Sequence, residues 1–230
     1  IPAAGKGERI GFKKQFFQLA GKSLIDYSLQ VMQSHDDIKK IILAVPRADV
    51  ERIKKYVADL LAYDKVLVIS GGQTRQETVK FALQEVGATV DVVIIHDGAR
   101  PFVDKQLVDS VIAGALNYGA VALGVPLNDT IKMVDGEERI IETLPRSRLR
   151  SIQTPQGFRR AVIFDAYRQA EHNNRLATDD AGLAEAAGYP VYVLPGNFNN
   201  IKITTQEDID MANAILGGYN FRVGFGVDIH

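Results

Sequence analysis

Apolar positions along the chain alternate between two spacings. Ile41-Ile42-Leu43-Ala44-Val45 is a continuous apolar run stopped by Pro46, which reads as a strand buried on both faces. Residues 66–69 and 90–95 repeat the pattern, the first ended by Ser70-Gly71-Gly72 and the second closing on His96-Asp97. Further runs cover 120–125 and 189–194. Between these runs apolar residues fall three and four apart. Leu24, Tyr27, Val31 and Met32 share one face of a helix expected over 23–34, and Val50, Ile53, Val57, Leu60 and Leu61 do the same over 49–62. Helices are likewise expected over 74–86, 107–116, 161–172, 178–187 and 205–216. Thr178 is the expected cap of the 178–187 helix, with Asp179 and Asp180 complementing its dipole, and Thr205 with Asp208 has capping-box spacing.

Strands alternating with helices in this way imply an α/β fold, with a Rossmann-like, mostly parallel sheet and helices on both faces. Ligands in such sheets bind beyond the carboxyl ends of the strands. The loops at Gly5, Gly71-Gly72 and Asp97 all fall there. The alternation breaks at residues 130–143, where two strands around Asp135-Gly136 read as a projecting β-hairpin arm, about 127–145. One domain over 1–216 is expected, then a linker at 217–220 and a separate segment, 221–230.

Composition narrows the chemistry. Hydrophobic residues make up 46% of the 230 residues and charged residues 24%, as in ordinary globular domains. The formal net charge of −1 gives no overall pull toward nucleic acid or an anionic membrane, so clustered cations point to a small anionic ligand. Cysteine is absent, which removes thiol nucleophiles and cysteine metal sites and fits a cytoplasmic location. No apolar run approaches the roughly 18 residues that span a bilayer. Ile1 is not an initiator Met and the chain is read as entering a strand partway, so a removed organelle targeting segment stays open.

The cations cluster at the start. Ala3, Ala4, Gly5 and Gly7 lack bulk, so another molecule could lie against the backbone N–H groups. Lys6, Arg9, Lys13 and Lys14 then supply positive charge, a combination suited to a polyphosphate. The two familiar phosphate loops do not fit. A dinucleotide fingerprint needs glycine where Ile10 stands, and a Walker loop ending at Gly21-Lys22-Ser23 would open on Phe16. A plain basic loop is the alternative reading.

Three further loops carry candidate chemistry. Gly71-Gly72 with Arg75 and Thr78 offers close backbone approach to a flat base, or simply a helix-capping turn. In His96-Asp97-Gly98-Ala99-Arg100, Asp97 can hold a Mg²⁺ bridging triphosphate oxygens, while Arg100 either joins the site or neutralises Asp97. His96 reads as a packed histidine. Thr130, Arg146, Thr154, Thr178 and Lys202 lie in polar segments that singly read as turns, caps or solvated charge.

Taken in order, these segments resemble the 2-C-methyl-D-erythritol 4-phosphate cytidylyltransferase family over residues 2 to about 214. The resemblance implies a nucleotide-diphospho-sugar transferase type of fold and transfer of CMP from CTP to 2-C-methyl-D-erythritol 4-phosphate. It implies that Arg9 and Lys14 stabilise the reacting and leaving phosphates. Arg146 and Lys202 would hold the incoming phosphate, with Thr130 and Thr154 nearby. Gly71, Gly72, Arg75 and Thr78 would surround the pyrimidine, and Asp97, with Gly98 and Arg100, the metal–triphosphate end. The hairpin corresponds to a homodimerisation arm. The chain departs from the family pattern at Lys13, where proline usually precedes the catalytic lysine, at the short interval from Arg9 to Lys14, and at Glu8.

Two other functions compete: a related transferase for another polyol or sugar phosphate, and a nucleotide-binding module without turnover. The tail is separate. Phe221–His230 is similar to the opening of the 2-C-methyl-D-erythritol 2,4-cyclodiphosphate synthase family, in which an Asp-x-His pair, here Asp228 and His230, binds a zinc-type divalent metal. A bifunctional enzyme is the expectation that follows, and a packing tail is the alternative.

Overall fold

The computed structural model describes residues 1–4, 17–61 and 63–217. A short β-ribbon comes first, β1 (Gln18–Leu19) against β2 (Lys22–Ser23). Then follow α1 (Leu24–Ser34), β3 (Ile41–Val45), α2 (Val50–Lys55), β4 (Val66–Ser70), α3 (Arg75–Gln84), β5 (Val92–Ile95), α4 (Lys105–Tyr118) and β6 (Ala120–Pro126). The arm is β7 (Ile131–Val134) and β8 (Ile140–Leu144). The described residues continue with β9 (Arg150–Arg159), α5 (Arg160–His172), α6 (Asp180–Ala186), β10 (Tyr192–Pro195) and α7 (Gln206–Gly217). Where a single helix was expected over 49–62, α2 passes into a π-helical turn at Tyr56–Leu61.

Strands β3 and β4 are parallel, and β10-β6-β9-β5 form a second block. Residues 1–4 run between the blocks: Ala3 N donates to Ala44 O at 2.8 Å, and Gly98 N to Pro2 O at 3.5 Å. The sheet is less parallel than expected because β9, the longest of the described strands, is antiparallel to both β5 and β6. Gln153, Pro155, Gln156 and Gly157 hide that strand in the sequence, yet Gln153–Phe158 is buried.

Alternation across the pleat divides the core. Leu43, Val121 and Leu123 pack with Leu29 and Met32 of α1, Ile53 of α2 and Val108 and Val111 of α4. Ile95, Ala120 and Phe158 pack with Val79 and Leu83 of α3, Ile163 and Tyr167 of α5 and Leu183 of α6. Truncating a fully buried residue such as Leu43 to alanine would cost about 2–5 kcal/mol. A third cluster, Leu19, Leu24, Ile203, Ile209 and Ala212, fastens α7 to the ribbon.

The caps follow the sequence with one correction. Ser23 and Asp26 form the capping box of α1, and Asp208 accepts from the backbone N–H of Thr204 and Thr205 ahead of α7. Thr178 does not cap α6. Asp179 does, accepting from Gly182 N at 2.9 Å, while Thr178 is exposed one residue earlier. No helix among the described residues is long and apolar enough to cross a membrane.

Candidate active site

Three loops meet at the carboxyl ends of the strands. Gly71, after β4, donates to Val45 O at 2.8 Å, and a Cβ built on it would lie 2.4 Å from the Ala4 Cβ. Only glycine lets the two loops approach this closely. A Cβ on Gly98 would meet Ile25 Cδ1 at 3.0 Å and Ala3 Cβ at 3.4 Å. Ala3, Ala4, Gly71 and Gly98 therefore form one small-residue floor. Gly5, Gly7, Arg9 and Lys14 lie outside the described residues, as do Asp228 and His230.

Asp97 stands at the tip of β5, beside that floor. Its Oδ2 accepts from Lys202 Nζ at 2.7 Å and its Oδ1 from Arg75 Nε at 3.2 Å. The loop backbone is fixed too, since Asp97 N donates to Thr154 Oγ1 at 3.0 Å. Burial works to raise the Asp97 pKa, but Arg75 and Lys202 outweigh it and bring it down to about 2. The carboxylate is thus ionised at neutral pH. Lys202 is the exposed partner, with 43% of its side chain accessible.

Arg75 reaches further. Its Nη2 donates to Asp180 Oδ2 at 2.6 Å, and Tyr167 OH donates to Asp180 Oδ1 at 2.6 Å. Asp180 is wholly buried. The pKa of Arg75 is raised: burial opposes its charge, and the Asp180 and Asp97 carboxylates more than compensate. The sequence placed Asp180 only as a helix-dipole residue and gave Tyr167 no role. The available signal was an acidic pair at a helix start, which is ordinary capping chemistry.

Other candidates serve the frame of the site. Thr78 is buried, its hydroxyl donating to Thr74 O at 2.8 Å and accepting from Gly72 N at 3.0 Å, so it shapes the glycine loop. Thr74 caps α3 by accepting from Glu77 N. Arg100 feels the Asp97 charge but directs its hydrogen bonds elsewhere: its Nη1 donates to Asn200 O at 2.7 Å and Nη2 to Ile152 O at 3.5 Å. His96 is buried, with Nε2 3.0 Å from Arg100 O and Nδ1 3.3 Å from Thr154 Oγ1. Burial lowers its pKa to about 4, so the imidazole is neutral and holds the loop.

The structure thus brings Ala3, Ala4, Gly71, Gly72, Arg75, Asp97, Gly98, Thr154 and Lys202 together. Thr130, Arg146 and Thr178 are exposed, and Arg146 donates to Asn128 O at the base of the arm. Lys202 and Arg146, expected on one phosphate, have different partners here. Asp97 suits a divalent cation of the Mg²⁺ type, which takes one or two carboxylates and completes its shell with phosphate oxygens and water. Its Oδ2 faces a partly exposed lysine that can give way. The described residues also group His35, Asp37 and Asp109 closely, but both ring nitrogens of His35 are already hydrogen-bonded, to Asp109 Oδ1 and Asp37 N.

The comparisons with known proteins converge. The family profile described as 2-C-methyl-D-erythritol 4-phosphate cytidylyltransferase matches residues 1–218. The chain is 41% identical to the protein of that name from Alkaliphilus metalliredigens, over 94% of this chain and 91% of that one. It is 38% identical to the bifunctional enzyme IspD/IspF of Desulforudis audaxviator, over 100% of this chain and 59% of that one. Among solved structures, 4-diphosphocytidyl-2C-methyl-D-erythritol synthase from Anaerococcus prevotii superposes with a TM-score of 0.83 at 31% identity, covering 94% of this chain and 95% of that one.

Proposed function

The chain belongs to the 2-C-methyl-D-erythritol 4-phosphate cytidylyltransferase family, and from that premise we propose how its residues divide the reaction. It is a cytidylyltransferase of non-mevalonate isoprenoid biosynthesis. A phosphate oxygen of 2-C-methyl-D-erythritol 4-phosphate attacks the α-phosphorus of CTP. The bond to the bridging β-phosphate oxygen breaks, and pyrophosphate leaves with the electron pair. The product is 4-diphosphocytidyl-2-C-methyl-D-erythritol. The substrate brings its own nucleophile, so positioning and charge stabilisation do the catalytic work.

The observation that carries the assignment is Asp97 with Arg75 and Lys202, drawn from three distant parts of the chain to one strand tip. Asp97 would hold a divalent cation, Mg²⁺ in this proposal, and that cation would supply charge screening for the triphosphate. Ala3, Ala4, Gly5 and Gly7 cradle the phosphates, and Arg9 and Lys14 stabilise the reacting and leaving groups. Gly71 and Gly72, in the loop shaped by Thr78, face the pyrimidine, with Thr178 at its margin. Lys202, once released from Asp97, receives the incoming phosphate with Arg146, near Thr130 and Thr154. Gly98 lets the phosphate loop approach, and Arg100 keeps the Asp97 loop in place.

Met133, Val134, Ile140 and Ile141 are 41–63% exposed on the arm. Apolar surface concentrated on one hairpin supports a homodimer in which the arm covers a partner. We place the enzyme in the cytoplasm, where CTP is made and used. The match to the Desulforudis audaxviator enzyme takes in residues that the Alkaliphilus metalliredigens match leaves out, 100% against 94% of the chain, which supports reading 221–230 as the start of a cyclodiphosphate synthase-like domain.

Pyrophosphate release with CTP, UTP or ATP and a panel of phosphorylated alcohols tests the assignment. Release is expected only with CTP, 2-C-methyl-D-erythritol 4-phosphate and a divalent cation. Equal turnover of another polyol phosphate would reassign the substrate.

A further inference from the structure

Arginine beside a carboxylate favours the bidentate fork, two parallel N–H bonds to both oxygens. Arg75 does not adopt it. Its Nη2 is 2.6 Å from Asp180 Oδ2, and Asp97 receives only the Nε bond, at 3.2 Å. Asp180 cannot follow Arg75 if the arginine swings. It is wholly buried, its other oxygen accepts from Tyr167 OH at 2.6 Å, and it opens α6. That helix start is in turn fixed to β9, because Gln156 donates to Asp179 Oδ2 at 2.7 Å and accepts from Ala181 N at 3.0 Å. The second oxygen of Asp97 consequently remains with Lys202 at the solvent side.

We propose that Asp180 is a positioning residue for the transfer: it holds Arg75 out of the bidentate fork with Asp97, leaving Asp97 Oδ2 exchangeable between Lys202 and a nucleotide-bound divalent cation. The inference rests on the reading of Asp97 as the cation's carboxylate. With Asp180 neutralised, Arg75 turns both donors onto Asp97, displaces Lys202 and competes with the cation. Asp180 is wholly buried behind Arg75 and in this proposal acts through that arginine.

The test uses Mn²⁺ as probe, titrated into enzyme with CTP and no acceptor, with free ion followed by electron paramagnetic resonance. Asp180→Asn is expected to weaken Mn²⁺ binding about 10–100-fold, the usual effect of removing an outer partner of a metal site. Tyr167→Phe, which leaves the Asp180 charge in place, is expected to weaken binding in the same direction by less. In an Arg75→Lys background, where no fork can form, Asp180→Asn should add nothing. Excess Mg²⁺ should restore turnover in Asp180→Asn but not in Asp97→Asn. Unchanged Mn²⁺ binding in folded Asp180→Asn overturns the proposal, as does an equal loss in the Arg75→Lys background. If Asp180→Asn does not fold, Tyr167→Phe and its Arg75→Lys double variant decide on the same terms. If Asp97→Asn itself leaves Mn²⁺ binding unchanged, the reading of Asp97 fails, and this inference falls with it. Loss in Asp97→Asn with none in Asp180→Asn removes this inference alone.

Discussion

Lys202 Nζ sits 2.7 Å from Asp97 Oδ2, across 105 residues of sequence. Each group offsets the charge of the other. The lysine neutralises the carboxylate that we propose for a cation, and the carboxylate holds the ammonium that we propose for an anion. Both side chains stay near their working positions without leaving a strong charge exposed to repulsion.

Lys202→Ala should therefore act on one substrate. Removal of one charge-assisted phosphate contact is worth roughly 1.5–3 kcal/mol, which corresponds to about a 10–150-fold rise in KM for the phosphorylated alcohol. The KM for CTP should move little. Steady-state kinetics with each substrate varied in turn will measure both. Equal effects would transfer Lys202 to the triphosphate side.

His96 makes stability depend on pH. Unfolded histidine titrates near 6.5, while burial holds folded His96 down to about 4. Between these values the unfolded chain takes up a proton that the native protein does not. The contribution is complete above 6.5 and is lost as pH falls toward 4, up to about 3 kcal/mol. Asp97 extends the loss below pH 4, since its folded pKa is about 2. Denaturant unfolding at a series of pH values should show this slope in the parent protein. His96→Gln should be less stable at neutral pH and lack the part of the slope above pH 4.

Gly71→Ala should damage the site more than the core. The added Cβ would stand 2.4 Å from Ala4 Cβ and 3.1 Å from the Thr78 side chain. One of the two loops must move, and both belong to the proposed nucleotide floor. A displacement on the order of 1 Å can cost about 100-fold in turnover. Activity is expected to drop by that order with only a small change in unfolding temperature, which paired kinetic and calorimetric measurements will show.

Most of the fold was legible because its helices and parallel strands obey simple periods. Ile41–Val45 and the helix beginning at Leu24 need only local sequence to be recognised. Strand β9 does not, because its burial comes from neighbours on both sides rather than from apolar composition. The site divides in the same way. Asp97 and Gly71-Gly72 announce themselves by following buried strands. Asp180 and Tyr167 matter only because folding brings them to Arg75, a meeting that no local pattern encodes. For the same reason Arg100, three residues after Asp97, is one candidate for its partner in the sequence, although Arg75 and Lys202 pair with it in space.

The arm offers a surface test. Ile140 and Ile141 are 63% and 60% exposed, and neither contributes to the core clusters. Ile140→Asp with Ile141→Asp should leave the unfolding temperature of the isolated domain nearly unchanged, as surface substitutions do. Sedimentation should then report a monomer with little activity, because we propose that Arg146, at the base of the arm, completes the site of the partner that the arm covers. A fully active monomer would sink the arm proposal.

Residues 221–230 lie outside the described residues. Asp228 and His230 are two apart, and residues two apart on a strand point to the same face, as a pair of metal ligands must. Two ligands are too few for a stable site, since a catalytic zinc normally takes three from the protein and leaves one position open. The 230-residue chain is therefore expected to bind no zinc tightly through this pair. If the pair opens a cyclodiphosphate synthase-like domain, the native reading frame continues beyond His230 and supplies a third ligand. The full-length product should then take up about one zinc per chain, and Asp228→Ala or His230→Ala should abolish that uptake. Neither variant should alter CMP transfer. Zinc content by elemental analysis, read beside the cytidylyltransferase assay, separates the outcomes. A reading frame that stops at His230, or a full-length product without zinc, would rule the fusion out and leave these residues as a tail of the transferase.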